Sequence, residues 1–389
     1  MKIKQDSFFS SGLGLAFLAG IGLMVANISP TIVSAYVQNP IFSTRDAGNI
    51  ISINMLGNAL GALIISFYLQ KFNWFRAAVF LLSILIVLDL FSISVTQSFL
   101  LFCVRFIYGM TAGALMGIAY AAIAQTSGPE RIQALSYTMQ LLSGGILIQL
   151  ITPQIESAGV IVVWLPLVVF SVIGLLLSPL LRKKTLAKDS LVATKNQSRA
   201  NNLIIALGLA SLFAFQMGQF AAFAYVIELG TNHNFNIEFT GTSVAMGLWI
   251  GGPAALFVTW WSLRSGRALP IILASSVQIV SIGLLIVPNP AYFLIGNVTW
   301  GIAFNIGISY ILGLISELDN DGRTATLAAF ASTLGLFAGP GLAAFLVGEN
   351  NYERVILASL AILLISVALI IIPAMKLDSL SKTRRIIWS

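Results

Sequence analysis

The chain has 389 residues, of which 58% are hydrophobic and only 9% charged, and its mean hydropathy is +0.93. Soluble domains carry roughly 25% charged residues, so a soluble fold is excluded, and the net charge of +7 gives no reason to propose a nucleic-acid partner. One cysteine (Cys103) and one histidine (His233) leave no disulfide within the chain and no His-rich metal site.

A membrane span needs about 20 mostly apolar residues. Twelve segments meet this length, with edges placed to within a few residues, at 11–37, 47–70, 75–96, 98–125, 134–157, 160–181, 203–229, 241–262, 268–288, 291–316, 324–347 and 354–375. The pattern predicts an all-α polytopic membrane protein with twelve transmembrane helices. The basic start and apolar run before Val37 resemble a secretory leader, but the run is too long and eleven further spans follow, so it is read as the first span. Of the 21 Lys and Arg residues, 18 fall at the two ends and in every second gap, against only Arg45 and Arg354 in the other gaps and Arg105 inside a span. The positive-inside rule then puts both termini in the cytoplasm.

In chain order, span 1 carries Asn27, Ser29, Pro30 and Thr31. A proline there frees a carbonyl that protein or a wet cavity must satisfy, which fits either a hinged cavity wall or a static kink. Span 2 holds Asn54 and Asn58 with Gly57 and Gly61, a spacing that favours close helix packing. Asp89 and Arg105 lie eight residues before and after Gln97 in the turn between spans 3 and 4. At ~1.5 Å per residue both sit ~12 Å deep in one hairpin. They are positioned to pair, either as a structural ion pair or as a proton switch. In span 7, Gln216, Gln219, Phe220 and Phe223 share one helical face. That stripe either faces a substrate or glues helices together. Glu228 ends the span, where a hydrated, loop-proximal carboxylate is the plainer reading. Span 8 adds Trp249, and span 10 adds Asn297, Trp300, Asn305 and Tyr310, with Tyr120 the counterpart of Tyr310 in span 4.

The longest hydrophilic stretch splits the chain into an N-terminal bundle (1–182), a linker (183–202), a C-terminal bundle (203–376) and a tail (377–389). The halves echo each other: Gly117-Ile-Ala-Tyr120 in span 4 matches Gly307-Ile-Ser-Tyr310 in span 10. The loops Gln70-Lys-Phe-Asn-Trp-Phe-Arg76 and Leu263-Arg-Ser-Gly-Arg267 occupy corresponding places after spans 2 and 8. Such a six-plus-six repeat is a signature of major facilitator transporters.

The motifs carry the resemblance further. Arg105-Phe-Ile-Tyr-Gly109-Met-Thr-Ala-Gly113 resembles the Arg-x-x-x-Gly-x-x-x-Gly motif of helix 4 in that superfamily, particularly its twelve-span drug:proton antiporter branch. The two basic loops resemble degraded copies of its Gly-x-x-x-Asp-Arg-x-Gly-Arg loop, with Gln70 and Leu263 in place of the Asp. Gly335-Leu-Phe-Ala-Gly339-Pro340-Gly341 in span 11 is similar to the antiporter Gly-Pro motif usually found on helix 5. The resemblance implies a two-bundle fold working by alternating access, with helices 1, 4, 7 and 10 lining a central cavity. It then implies substrate contacts at Asn27, Thr31, Arg105, Tyr120, Gln216, Gln219, Phe223, Trp300 and Asn305, and proton coupling through Asp89, Arg105 and Glu228.

No phosphate-binding loop, metal-ligand cluster or catalytic triad is present in the sequence, so no enzyme activity, cofactor or metal is expected and uphill transport must draw on an ion gradient. The expected function is proton-coupled efflux of a small, mostly apolar compound by a monomer in the inner (plasma) membrane, with substrate, protons and the lipid bilayer as partners. An importer or uniporter on the same fold, or a non-transporting membrane receptor, are the alternatives.

Overall fold

In lipid every backbone N–H and C=O must be satisfied within the protein, so each apolar run is expected to coil into a helix. The computed structural model describes residues 2–126, 128–182, 202–261, 266–318, 323–348 and 350–387, and these form helices joined by short turns, with no strand among them. The helices are α1 (Lys2–Ile21), α2 (Met24–Asn27), α3 (Ser29–Val37), α4 (Thr44–Tyr68), α5 (Trp74–Ser94), α6 (Ser98–Ala124), α7 (Pro129–Ile151), α8 (Ile155–Ala158), α9 (Ile161–Leu177), α10 (Asn202–Ala224), α11 (Val226–Asn232), α12 (Ile237–Trp261), α13 (Ala268–Leu284), α14 (Pro290–Glu317), α15 (Arg323–Leu346) and α16 (Tyr352–Ile387). Among the described residues, nine segments are long and apolar enough to cross a membrane. The predicted ninth span is shorter, at 17 residues. Most of the predicted linker, with Lys183, Lys184, Lys188, Lys195 and Arg199, lies outside the described residues, as do Leu263 and Arg264. The final helix runs on to Ile387, through most of the stretch expected to be a tail.

Local chemistry sets where several helices begin. Ser43 and Asp46 form a reciprocal capping box at the start of α4, each side chain bonding the other's backbone N–H at 3.1 Å. Asn73 caps α5 through the Arg76 N–H, and Asn289 caps α14 just ahead of Pro290. Both side chains occupy helix ends that would otherwise leave donors unmet.

The chain divides into two compact units, Met1–Leu191 and Val192–Ser389. In the N-terminal unit α4 runs along α6, α5 packs on α6 and α9, and α1 packs on α7. The C-terminal unit repeats this pairing order, with α12 along α14, α13 on α14 and α16, and α10 on α15. Glycines make the closest seams possible. A Cβ on Gly57 or Gly61 would run into the α6 backbone, and one on Gly109 or Gly113 would run into the Asn54 or Asn58 carbonyl of α4. Gly247 and Gly301 close the α12–α14 seam in the same way. The four-residue spacing of the span 4 motif therefore places one glycine per turn on the face that α4 covers.

The first span of each unit is broken. In the N-terminal unit the helix stops at Ile21 and restarts at Met24, then breaks again at Ile28 (φ −104°, ψ 15°). Pro30 sits in the first turn of α3, where its missing N–H removes no helical bond, so the interruption falls two residues before the proline. In the C-terminal unit the matching break is at Tyr225 (φ −113°, ψ 12°), between α10 and α11. No proline is involved there, which is why the sequence alone did not mark it.

Candidate functional site

In the N-terminal unit, Asp89 on α5 and Arg105 on α6 form an ion pair at 3.0 Å, both fully buried. The two residues lie at equal depth in one hairpin, as their spacing about Gln97 predicts. The remaining contacts of the guanidinium were not foreseen. It donates to the Leu88 carbonyl at 2.9 Å and to the Ser92 hydroxyl, and lies 3.9 Å from the Trp164 ring centroid and 4.6 Å from that of Tyr108. Trp164, from α9, in turn donates its indole N–H to the Tyr36 hydroxyl at 3.0 Å. Asn54 of α4 donates to the Arg105 backbone carbonyl at 3.1 Å. A guanidinium desolvated this far needs a carboxylate, hydrogen bonds and ring faces together, because any one alone falls short of its hydration energy. The cation is therefore spent inside the unit, tying α5, α6 and α9 to one point.

The second feature is the broken first helix. Asn27 Nδ2 and Ser29 Oγ, on either side of the Ile28 break, are buried atoms with no hydrogen-bond partner. Next to them Thr31 Oγ1 lies 3.3 Å from Thr152 Oγ1, at the 3₁₀ turn that Pro153 imposes between α7 and α8. Asn58 Nδ2, by contrast, donates to the Gly22 carbonyl at 2.7 Å. Buried polar atoms left unmet in a native protein call for a water or a ligand. Tyr120, half-buried on α6, lies within hydrogen-bonding reach of Gln140 on α7.

In the C-terminal unit the amide–aromatic stripe on α10 divides. Gln216 Nε2 donates to Ser332 Oγ on α15 at 2.8 Å, in the seam where Gly335 and Gly339 let α15 approach the α10 backbone. Its Oε1 is buried without a partner. Gln219 Oε1 accepts from both the Trp300 indole N–H on α14 and Gln278 Nε2 on α13. An indole nitrogen only donates, so this contact settles which way the Gln219 amide is turned and, through it, that of Gln278. Gln278, absent from the expected set, is fully buried, with its Oε1 unmet. It lies on a span outside the four expected to line a cavity, which is why the sequence did not single it out. Phe223 meets Trp300 edge to face, with centroids 6.0 Å apart. Asn305 Nδ2 bonds the Gly301 carbonyl of its own helix at 2.8 Å.

Glu228 is only 6% exposed, in the first turn of α11 beside the Tyr225 break. The expected hydrated loop carboxylate is thus corrected: the side chain is buried, one turn or less after the break. Replacing Gln219 by Leu should leave the Trp300 and Gln278 donors without an acceptor. The expected cost is roughly 1–3 kcal/mol per buried donor, read as a lowered Tm of the purified protein.

A third cluster lies at the end of the C-terminal unit. Arg267, just before α13, donates to Glu317 of α14 through Nε at 3.0 Å and through Nη2, and to Asp378 of α16 at 3.4 Å. The Asp378 carboxylate also accepts the backbone N–H groups of Arg267 and Ala268 at 2.9 and 3.0 Å, capping the start of α13. The loop that lacks the family's Asp thus draws its carboxylates from two distant helices. Neither was legible in the sequence, because Glu317 and Asp378 are 50 and 111 residues away.

No curated protein matches the sequence. The fold is similar to crystal structures of the nucleoside transporter NupG (13% identity, TM-score 0.68, 93% of this chain and 98% of that one) and of a point mutant of NupG (12%, 0.68, 95% and 99%). It is also similar to a bacterial homolog of the human lysosomal transporter Spinster in an inward-facing, unoccupied conformation (12%, 0.69, 94% and 96%). At these identities the likeness extends to the fold. The profile described as Major Facilitator Superfamily matches residues 12–333, most of the chain. With its all-helical fold, its membrane-length helices and that match, the protein is a multi-pass membrane transporter, not an enzyme, and belongs to the Major Facilitator Superfamily.

Proposed function

We propose that this transporter exports a small, mostly apolar and neutral organic compound by proton-coupled alternating access, as members of the drug:proton antiporter branch do. The observation that carries the reading is the set of buried, unpartnered polar atoms: Asn27 Nδ2 and Ser29 Oγ in one unit, and in the other Gln216 Oε1 and Gln278 Oε1, the latter amide joined through Gln219 to Trp300, which meets Phe223 edge to face. Apolar walls with a few aimed polar groups suit a small organic ligand. Neutrality follows from Arg105, whose charge Asp89 already balances. Substrate contacts are assigned to Asn27, Thr31, Tyr120, Gln216, Gln219, Phe223, Trp300 and Asn305, with Arg105 acting through the shape of its unit. The protein would sit as a monomer in the inner membrane, crossing it twelve times with both termini cytoplasmic.

For the proton, Glu228 is the favoured carrier, because it is a buried carboxylate next to a helix break, while Asp89 is held by Arg105. Glu228→Gln should leave a folded protein whose transport no longer responds to a collapsed pH gradient. Unchanged sensitivity to the gradient would remove Glu228 from the coupling path. The function itself is tested by a thermal-shift screen of the purified protein, since a ligand of the folded form raises its Tm. Each hit is then followed in inverted and right-side-out vesicles. Accumulation in inverted vesicles driven by an inside-acid gradient is the expected result, and accumulation only in right-side-out vesicles would make the protein an importer.

A further inference from the structure

Three cations gather at one end of the N-terminal unit. Lys71 lies in the turn between α4 and α5, its Nζ 5.0 Å from the Tyr68 ring centroid. Arg76 stands in the first turn of α5, which holds no acidic residue. Arg182, after the 3₁₀ turn Ser178–Leu181, lies 4.4 Å over the ring of Phe75, the neighbour of Arg76. All three are exposed, and among the described residues none forms an ion pair. A cation at a helix N-terminus also opposes the helix dipole, so the arrangement is electrostatically incomplete as it stands.

The repeat supplies the comparison. Helix α13 packs on α14 and α16 as α5 packs on α6 and α9. At the start of α13 an anion is already present: the Asp378 carboxylate from the last helix of that unit, bonded to two backbone N–H groups and to Arg267. At the start of α5 the last span of the unit brings Arg182 instead of a carboxylate. The same place that one unit fills with its own anion is lined in the other by three cations. Beside them Phe67 and Phe72 are exposed by 74% and 52%, at the end of an apolar, membrane-length helix. An anion joined to acyl chains fits both halves of this surface: a phosphate for Lys71, Arg76 and Arg182, and hydrocarbon for the phenylalanines.

We propose that Lys71, Arg76 and Arg182 bind the headgroup phosphate of an anionic phospholipid, which takes the place that Asp378 fills in the C-terminal unit. The site is independent of the substrate reading above and is tested without transport. Purified full-length protein is titrated with didecanoyl phosphatidylglycerol, with the phosphatidylcholine of the same chains, and with sodium phosphate, following Tm and the lipid retained in native mass spectra. The expected result is a Tm rise with phosphatidylglycerol several degrees larger than with phosphatidylcholine, shrinking as salt is raised. Lys71→Gln/Arg76→Gln/Arg182→Gln should abolish that difference, and Lys71→Arg/Arg76→Lys/Arg182→Lys should keep it. If the triple glutamine variant does not fold, the single Arg182→Gln should lower retained phosphatidylglycerol at least threefold. Full anionic preference in either glutamine variant would overturn the proposal. An equal Tm rise from phosphate alone would also overturn it, replacing the lipid with a free anion.

Discussion

Replacing Arg105 by Ala should cost about 3–5 kcal/mol of folding stability, since it strands the Asp89 carboxylate in a site with no solvent. The same change removes the ring contacts to Trp164 and Tyr108 and the donors to Leu88 and Ser92. The measurement is folded yield and Tm in detergent, with ligand binding scored on whatever protein survives. A second change, Asp89→Ala, should recover much of the loss, because an empty pair of apolar positions costs less than one unpaired charge. If the double variant folds and still transports against a pH gradient, the pair is structural. If it folds and transports only downhill, Asp89 takes part in coupling and Glu228 does not act alone. A single Arg105→Ala protein with unchanged Tm would contradict the burial-driven account outright.

Gly109→Val should be comparably severe. The added Cβ would overlap the Asn54 carbonyl oxygen, which is backbone and has no rotamer to escape into. Helices α4 and α6 must then separate along a seam where four glycines interlock, opening voids on either side. Overpacking of a close seam costs roughly 1–3 kcal/mol and occasionally more, and the upper end is expected where backbone meets backbone. Gly313→Val, a position on α14 with open space around it, is the control and should leave Tm nearly unchanged. A similar loss at both positions would mean that valine's lower helix propensity, not the seam, is responsible.

Together these two changes separate what the span 4 motif does. Its arginine anchors α6 to α5 and α9, and its glycines seat α6 on α4. The motif therefore builds the N-terminal unit before it does anything else. The sequence placed Arg105 among the substrate contacts on the strength of resemblance, and the structure puts it at 0% exposure. Gln219 followed a similar course: an amide on the expected face, found holding the Trp300 and Gln278 donors.

By itself the sequence determined the solvent and the pairing that lies within one hairpin. Apolar length and the spacing of Lys and Arg depend only on local composition, so helices of membrane length and a chain that echoes itself could be read directly. Asp89 and Arg105 were also readable, because a short turn puts equal depths side by side. Only the tertiary structure decided what meets across many residues: Trp164 over Arg105, Asp378 and Glu317 on Arg267, Gln278 on Gln219. It also decided where the first helices break, at Ile28 and Tyr225, and that Glu228 is buried. The reason is physical: in a helical membrane protein almost every apolar residue satisfies the lipid, so partner choice rests on small-residue seams and a few polar contacts. Those contacts exist only once the helices are side by side.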